Sequence, residues 1–103
     1  MGKVYFLTDT HNVKIGFTSG EVNKRLKQLN TGSPYQLYIL GWVEGDLNKE
    51  KELHDKFSYL RIKENGEWFE AGIDLIKYIN EVNEKPNTYV DSLDGVLMTF
   101  LKL

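Results

Sequence analysis

Three side chains that could take part in chemistry lie at helical spacing near the middle of this sequence. Residues 47–60 have the apolar periodicity of a helix, which at about 100° per residue places Glu50 and His54 on one stripe, with Arg61 if the helix extends that far. Three leucines border this stripe and are expected to face the core: Leu47, Leu53 and Leu60. A buried carboxylate is costly unless a cation or metal compensates its charge. Glu50 is therefore expected either to pair with Arg61 or reach water, or to hold a metal ion.

His54 also has two interpretations. It follows Glu50 by one helical turn, so both side chains could contribute to one metal site. A single histidine on a partly apolar face is, however, more often a hydrogen-bonded core residue than a ligand. His11 falls in a polar stretch between two strands and is interpreted as a turn residue.

An arginine occupies a similar position on another predicted helix, residues 21–29. The apolar stripe of that helix consists of Val22, Leu26 and Leu29. Arg25 borders this stripe, so its guanidinium either lies along the core or forms a rigid fork that meets a phosphate. Lys24 and Lys27 are expected to point toward solvent.

The remaining segments complete the predicted secondary structure. Residues 3–8 and 13–18 are short β-branched and aromatic runs separated by a polar stretch, which indicates a β-hairpin. Residues 35–43 are apolar on both alternating faces, as expected of a central strand. Residues 73–82 predict a further helix, and residues 92–103 predict a fourth, shorter one.

Composition narrows the class of protein. The chain has 103 residues, 41% hydrophobic and 27% charged, which fits one globular domain over residues 1–103. It has no cysteine, which excludes disulfides and thiolate metal sites, and no apolar run long enough to span a bilayer. A cytoplasmic location without membrane contact is therefore expected.

The charges are unevenly distributed along the chain. The net charge is −2, but residues 1–63 carry ten Lys and Arg against seven Asp and Glu, and residues 64–103 carry three against eight. The basic part either presents a phosphate-binding face or reflects a chance division of charge in a small protein.

Together these residues resemble the GIY-YIG nucleases, in which two strand triplets precede an essential arginine and a metal-binding glutamate. The matching positions are Val4-Tyr5-Phe6, Lys14-Ile15-Gly16, Thr18, Arg25-Leu26, Leu29, Thr31-Gly32, Pro34, Glu50, Leu53-His54, Phe57 and Glu67-Trp68-Phe69. The K-I-G triplet and the E-x-x-L-H-x-x-F and E-W-F motifs resemble a branch common in phages, viruses and bacteria. The match covers residues 3–69, and residues 70–103 add no motif. Val4 stands where the family has Gly, and Lys14 where it usually has Tyr.

The resemblance implies an α+β fold with a small three-stranded antiparallel sheet flanked by helices. It also implies hydrolysis of DNA with one divalent ion, Mg²⁺ or Mn²⁺, held by Glu50, since a lone carboxylate suits Mg²⁺ better than Zn²⁺. Tyr5 would act as general base or orient the attacking water, and Arg25 would neutralise charge on the phosphoryl oxygens. Further substrate contacts are expected from Lys24, Lys27, His54 and Arg61.

Lys14 is expected to help the chemistry by acting on Tyr5. A tight hairpin places the two side chains directly or diagonally across from one another. The ammonium would then favour the phenolate form of Tyr5, which accepts a proton more readily. Alternatively, Lys14 points to solvent or contacts a phosphate.

The sequence leaves two functions open. One is a metal-dependent DNA endonuclease or nickase; the other is a catalytically inactive module of the same fold that binds nucleic acid or a protein partner. The presence of Tyr5, Arg25 and Glu50 together favours the enzyme, because a binding module would not need all three. Specificity is expected to be modest, or to come from a second copy of the chain or a protein partner.

Overall fold

A four-stranded antiparallel sheet lies at the centre of the computed structural model, which describes residues 2–64 and 66–83. The strands are β1 (Lys3–Thr8), β2 (Asn12–Thr18), β3 (Tyr38–Glu44) and β4 (Trp68–Glu70). The helices are α1 (Val22–Asn30), α2 (Leu47–Lys56) and α3 (Ile73–Val82), and a short 3₁₀ helix at Ser58–Leu60 follows α2. The strand order is β3-β1-β2-β4, so β1 and β2 are the inner strands. The predicted α+β class is confirmed.

The predicted β-hairpin is also confirmed, and side chains of its polar stretch hold the turn. The Asp9 carboxylate accepts hydrogen bonds from the backbone N–H groups of His11 and Asn12, at 2.9 and 2.8 Å. The Thr8 hydroxyl donates to the Asn12 carbonyl at 2.7 Å. Thr10 adopts the left-handed conformation, with φ of 82°, that closes the turn. His11 is exposed here, as expected of a turn residue.

Apolar side chains cover both faces of the sheet, because successive strand residues point to opposite sides. One face, which we call the two-helix face, packs against α2 and α3 and buries Val4, Phe6 and Ile15. The other, which we call the α1 face, packs against α1 and buries Tyr5 and Leu7. Tyr5 therefore points to the side of the sheet that carries the arginine-bearing helix.

The structure corrects the predicted sheet in two ways. Trp68–Glu70 forms a fourth strand paired with β2, so the expectation of three strands is wrong. The predicted central strand, β3, lies at an edge of the sheet. Its apolar pattern arises because both faces are covered, with Leu40 buried in one cluster and Ile39 in the other. Burial on two faces does not require a neighbouring strand on each side.

The structure also shortens the second predicted helix. α2 ends at Lys56, and the 3₁₀ helix replaces its predicted last turn. Arg61 therefore leaves the helical stripe and pairs with Phe69 in an isolated antiparallel bridge. Leu47, in the first turn of α2, is 62% exposed and does not face the core as predicted.

The C-terminal predictions have different outcomes. α3 occupies the predicted residues 73–82. The predicted fourth helix, at residues 92–103, lies outside the described residues. Within residues 2–64 and 66–83, no helix has the length and apolar character needed to cross a membrane.

Both outer edges of the sheet are contacted by other parts of the chain. On β3, the Asn83 side chain accepts a hydrogen bond from the Trp42 N–H at 3.1 Å and donates one to the Leu40 carbonyl at 3.0 Å. On β4, the Ile62 N–H donates to the Trp68 carbonyl at 3.0 Å. These contacts satisfy strand groups that would otherwise face solvent.

Candidate active site

Tyr5 lies across the hairpin on the α1 face. It pairs with Gly16 on β2 and, on its other side, with Trp42 on β3. The phenol lies so close over Gly16 that a Cβ there would collide with the ring and the hydroxyl. The Tyr5 side chain is 1% exposed. Gly16 therefore gives the phenol its position, a role that its place in the K-I-G triplet did not reveal.

Gly16→Ala is expected to lower both stability and any catalytic activity, because the added methyl must displace the buried phenol. Overpacking of this kind costs about 1–3 kcal/mol. Gly20→Ala is the matched control, since a Cβ at Gly20 approaches nothing closer than the Thr18 hydroxyl at 3.8 Å. Urea denaturation of the two variants provides the measurement. Equal free energies of unfolding would show that the phenol moves aside without cost.

Glu50 lies in the first turn of α2 and is half-buried. Burial raises the pKa of its carboxyl, because the charged form loses hydration, and the nearby Glu67 carboxylate raises that pKa further. His54 and Lys14 act in the opposite direction and lower the Glu50 pKa. Among residues 2–64 and 66–83, no ion pair joins Glu50 to Arg61, so the predicted pairing of these two residues is wrong.

The Lys14 ammonium interacts with two carboxylates, those of Glu67 and Glu50. Its Nζ is 3.0 Å from Oε1 of Glu67, and its charge also lowers the pKa of Glu50. The strand register places Lys14 opposite Leu7 and hence diagonal to Tyr5, one of the two predicted arrangements. The side chain is 16% exposed, so the alternative in which it points to solvent is wrong.

Removing Lys14 is expected to destabilise the protein through Glu67. Without the ammonium, Glu67 and Glu50 repel each other with no cation between them. A double-mutant cycle of Lys14→Met and Glu67→Gln should therefore give a coupling free energy of about 1 kcal/mol or more, within the usual range for residues in contact. The exposed pair Lys49–Glu52 serves as the control and should couple more weakly, at about 0.5 kcal/mol. Urea denaturation in EDTA measures both cycles, and equal coupling would contradict this account of Lys14.

Arg25 projects from α1 and is half-buried beside the apolar stripe of that helix, as predicted. Its Nε is buried and has no hydrogen-bond partner in the described part of the chain. Nη1 donates to Oε1 of Gln28 at 3.4 Å, which is long for a hydrogen bond. A buried donor without a partner is costly. The Arg25 guanidinium thus retains donors for an incoming oxygen ligand.

The other predicted substrate contacts differ in position, and His54, one helical turn after Glu50 on α2, is near enough to lower the Glu50 pKa. His54 Nε2 donates to the Ile15 carbonyl at 2.9 Å, and its ring centroid is 5.1 Å from that of Phe69, in agreement with the core interpretation. The Arg61 guanidinium lies 5.5 Å from the centroid of the Phe69 ring, and its Nε is buried without a partner among the described residues. Lys24 and Lys27 of α1 are both exposed, as predicted.

Residues 2–85 match the sequence profile of the T5orf172 domain, which is most of the 103-residue chain. The chain belongs to the T5orf172 family. The T5orf172 domain is nuclease-associated, and the matched region contains all four positions assigned a catalytic role above. No curated protein and no solved structure gives a significant match.

This T5orf172 domain offers few ligands to a metal ion. No group of three or more His, Asp or Glu side chains that could hold a metal occurs within residues 2–64 and 66–83. The carboxylates at the site are Glu50 and, near enough to affect its pKa, Glu67. Mg²⁺ typically takes one or two protein carboxylates and completes its coordination with water and substrate phosphate. The donor set therefore fits Mg²⁺ or Mn²⁺ bound together with DNA, and does not fit a closed zinc site.

Glu67 received no role from the sequence beyond its place in the E-W-F motif. The Ile15 N–H donates to its carbonyl at 2.9 Å, which fixes Glu67 beside β2 and brings its carboxylate to Lys14. That arrangement depends on how β4 pairs with β2, and the sequence does not specify this register. The sequence does contain one indication of this contact. Glu67 is a carboxylate within a motif, and its segment is able to pair with the strand that carries Lys14.

Proposed function

We propose that this T5orf172 domain is an endonuclease or nickase of the GIY-YIG type, which hydrolyses phosphodiester bonds in DNA and requires Mg²⁺ or Mn²⁺. The observation that supports this proposal is the environment of Glu50. A half-buried carboxylate lies near a second carboxylate, and one ammonium, that of Lys14, is already ion-paired with the second. A divalent cation would offset this negative charge, and a DNA phosphate would complete its coordination.

The four candidate catalytic residues would divide the work of hydrolysis. Glu50 would hold the ion, which when bound supplies Lewis-acid polarisation of the phosphate and stabilises the leaving oxygen. Tyr5 would orient the attacking water and, in its phenolate form, accept the proton of that water to become a neutral phenol, and the diagonal ammonium of Lys14 would stabilise the phenolate before the transfer. Arg25 would donate to the phosphoryl oxygens through the guanidinium donors that the fold leaves unpaired.

Binding of the DNA backbone would come from basic residues outside the reacting centre. Lys24 and Lys27 lie on α1, the helix that also carries Arg25. Each phosphate contact from such a side chain releases counterions, so binding should weaken as salt increases. Arg61 and His54 would contribute from the two-helix face, where they pack on Phe69 and which α2, the helix of Glu50, also covers.

One observation favours the second candidate function, a non-catalytic module that binds nucleic acid or a protein. Tyr5 is 1% exposed, so a substrate would reach almost none of the phenol. A module of this kind would keep the charges that bind phosphate and would lack turnover. A protein partner or a second copy of the chain would supply specificity in either case.

Incubation with supercoiled plasmid separates the two functions. We expect nicked circles with Mg²⁺ or Mn²⁺ and none with EDTA, whereas gel-shift binding should persist in EDTA because it depends on the basic residues. Protein carrying Glu50→Ala, purified identically, controls for contaminating nucleases. Binding without nicking under both metals would establish the non-catalytic function instead.

A further inference from the structure

A cavity of about 330 Å³ opens beside Trp42 and takes no part in the proposed hydrolysis. Its walls come from two strands and the start of α1: Lys3, Glu21, Val22, Asn23 and Trp42. This volume lies at the lower end of the range of about 300–1,000 Å³ that is usual for ligand pockets. It suits one nucleotide and is too small for a base pair.

The chemistry of the walls matches that of a nucleotide. The Trp42 indole provides an aromatic surface, and the Lys3 Nζ lies over this ring, 5.1 Å from its centroid, so a base that stacks on that face displaces the ammonium toward the phosphate. Within the described part of the chain, the structure records no ion pair for Lys3, so its ammonium can meet a phosphate. Glu21 and Asn23 add a carboxylate and an amide, which can accept from or donate to the edge of a base.

The cavity also lies beside the candidate catalytic residues. Trp42 pairs with Tyr5 across β3 and β1, and Tyr5 pairs with Gly16, so the three residues form one row across the sheet. Neighbouring strands are about 4.8 Å apart, so a nucleotide against Trp42 would hold its own phosphates close to Tyr5. Val22 lines the cavity one helical turn before Arg25.

We propose that this cavity binds one unpaired nucleotide next to the phosphate that is cleaved. The base stacks on Trp42, the phosphate meets Lys3, and Glu21 and Asn23 contact the base edge. A base inside a duplex is stacked on both faces and cannot also stack on an indole, so the nucleotide must be single-stranded or flipped out. This inference rests on the proposed nuclease function, and it specifies the substrate as DNA with an unpaired nucleotide beside the cut.

The second tryptophan of the chain provides an internal comparison. Trp68 also has a lysine near its ring, with the Lys14 Nζ at 5.6 Å from the centroid. That ammonium is already paired with Glu67, whereas a carboxylate lines both cavities, Asp9 in the cavity of about 290 Å³ beside Trp68 and Glu21 in the one beside Trp42. Trp68 therefore has beside it a lysine that is already neutralised, whereas the lysine beside Trp42 has no such ion pair among the described residues.

Binding of short single strands in EDTA tests the cavity without any cleavage. The probes are a mixed-sequence strand and an abasic strand of the same length and charge, each labelled for fluorescence anisotropy. We expect the strand with bases to bind roughly five- to 150-fold more tightly, the range for stacking of one base. Trp42→Leu should remove this difference, and Trp42→Phe should retain part of it. Equal binding of the two strands by the parent protein would overturn the inference.

Fluorescence gives a second measurement that does not depend on the Trp42 variants. In a Trp68→Phe background, Trp42 is the only tryptophan in the chain. The strand with bases should quench its emission, and the abasic strand should not. Equal emission with both strands, while anisotropy shows that both are bound, would overturn the inference.

Cleavage assays separate a failure of the inference from a failure of the proposed function. A duplex with one unpaired nucleotide should be cut faster than a fully paired duplex, and Trp42→Leu should abolish that preference. A protein that cuts both duplexes alike keeps the proposed function and loses the inference. A protein that shows quenching of Trp42 but never cuts DNA loses the nuclease function and retains a nucleotide-binding cavity.

Discussion

Glu50→Gln is expected to reduce cleavage at least about a hundredfold, while leaving the protein as stable as the parent or more so. The loss of activity follows because an amide oxygen is a much weaker ligand for a hard divalent cation than a carboxylate, and removal of one group that stabilises a transition state typically costs about 10²–10³ in rate. Plasmid nicking at saturating Mg²⁺ measures this change. Glu52→Gln, on the exposed side of the same helix, is the control and should cut normally.

The gain in stability follows from the raised pKa of the Glu50 carboxyl. Burial, followed by the nearby Glu67 carboxylate, raises this pKa above its ordinary value of about 4.5, so the fold binds a proton at Glu50 more tightly than the unfolded chain does. The stabilisation from protonated Glu50 is fully present below the ordinary pKa of the carboxyl and is lost as pH rises through its pKa in the folded protein. The amide introduced by Glu50→Gln does not ionise, so the variant would not lose stability in this way.

Thermal unfolding in EDTA at a series of pH values tests this second part. The Tm of Glu50→Gln relative to the parent should increase as pH rises above about 4.5, the ordinary pKa of the group. Added Mg²⁺ together with DNA should raise the Tm of the parent toward that of the variant, because a ligand that binds only the folded state stabilises it. A Tm difference that does not change with pH would contradict the raised pKa of this carboxyl, and nicking at the parental rate would remove Glu50 from the metal site.

Arg25→Ala is expected to slow turnover by about 10²–10³-fold, which corresponds to roughly 3–4 kcal/mol of lost transition-state stabilisation. Lys24→Ala removes the same charge from the next residue and should change turnover by only a few-fold, because Lys24 is exposed and its charge is screened by salt. The difference arises from position: Arg25 is half-buried, with its Nε in the interior and without a partner among the described residues.

Single-turnover kinetics and a stability measurement together test the role of Arg25. The rate constant for cleavage should fall in Arg25→Ala, whereas DNA affinity in EDTA should fall by a similar small factor in both variants. The free energy of unfolding should change little in Arg25→Ala, because the lost packing is offset by removal of a buried donor that lacks a partner. Equal rate constants in the two variants would show that Arg25 has no special part in catalysis.

Local patterns in the sequence predicted the elements well where one face was apolar. α3 has the bounds expected from its periodicity, and the hairpin follows from two apolar runs around a polar turn. The apolar pattern was less informative where a segment is buried on more than one face or changes its helical geometry. β3 resembles a central strand because both its faces are covered, and the last turn of α2 tightens into a 3₁₀ helix although its residues suit an α-helix.

The sequence nominated residues for the candidate site but did not reveal their contacts. Arg25 and Glu50 stand out because each is ionisable at a position that periodicity assigns to the border of the core, whereas Tyr5 is singled out only by the resemblance to the GIY-YIG nucleases. Contacts between strands are set by register, which sequence does not encode locally. The Lys14–Glu67 pair and the Tyr5–Trp42 row were therefore visible only in the structure.

The coverage of both sheet edges bears on how copies of this domain could associate. An uncovered edge strand offers a row of backbone donors and acceptors that another copy can extend into a continuous sheet. On β3, the Asn83 side chain is hydrogen-bonded to the Trp42 N–H and to the Leu40 carbonyl. On β4, the Trp68 carbonyl accepts a hydrogen bond from the Ile62 N–H. Extension of the sheet from one copy into the next would first have to break these bonds. A dimer that supplies DNA specificity would therefore be built from side-chain surfaces, leaving each hairpin and the Tyr5 row intact within its own subunit.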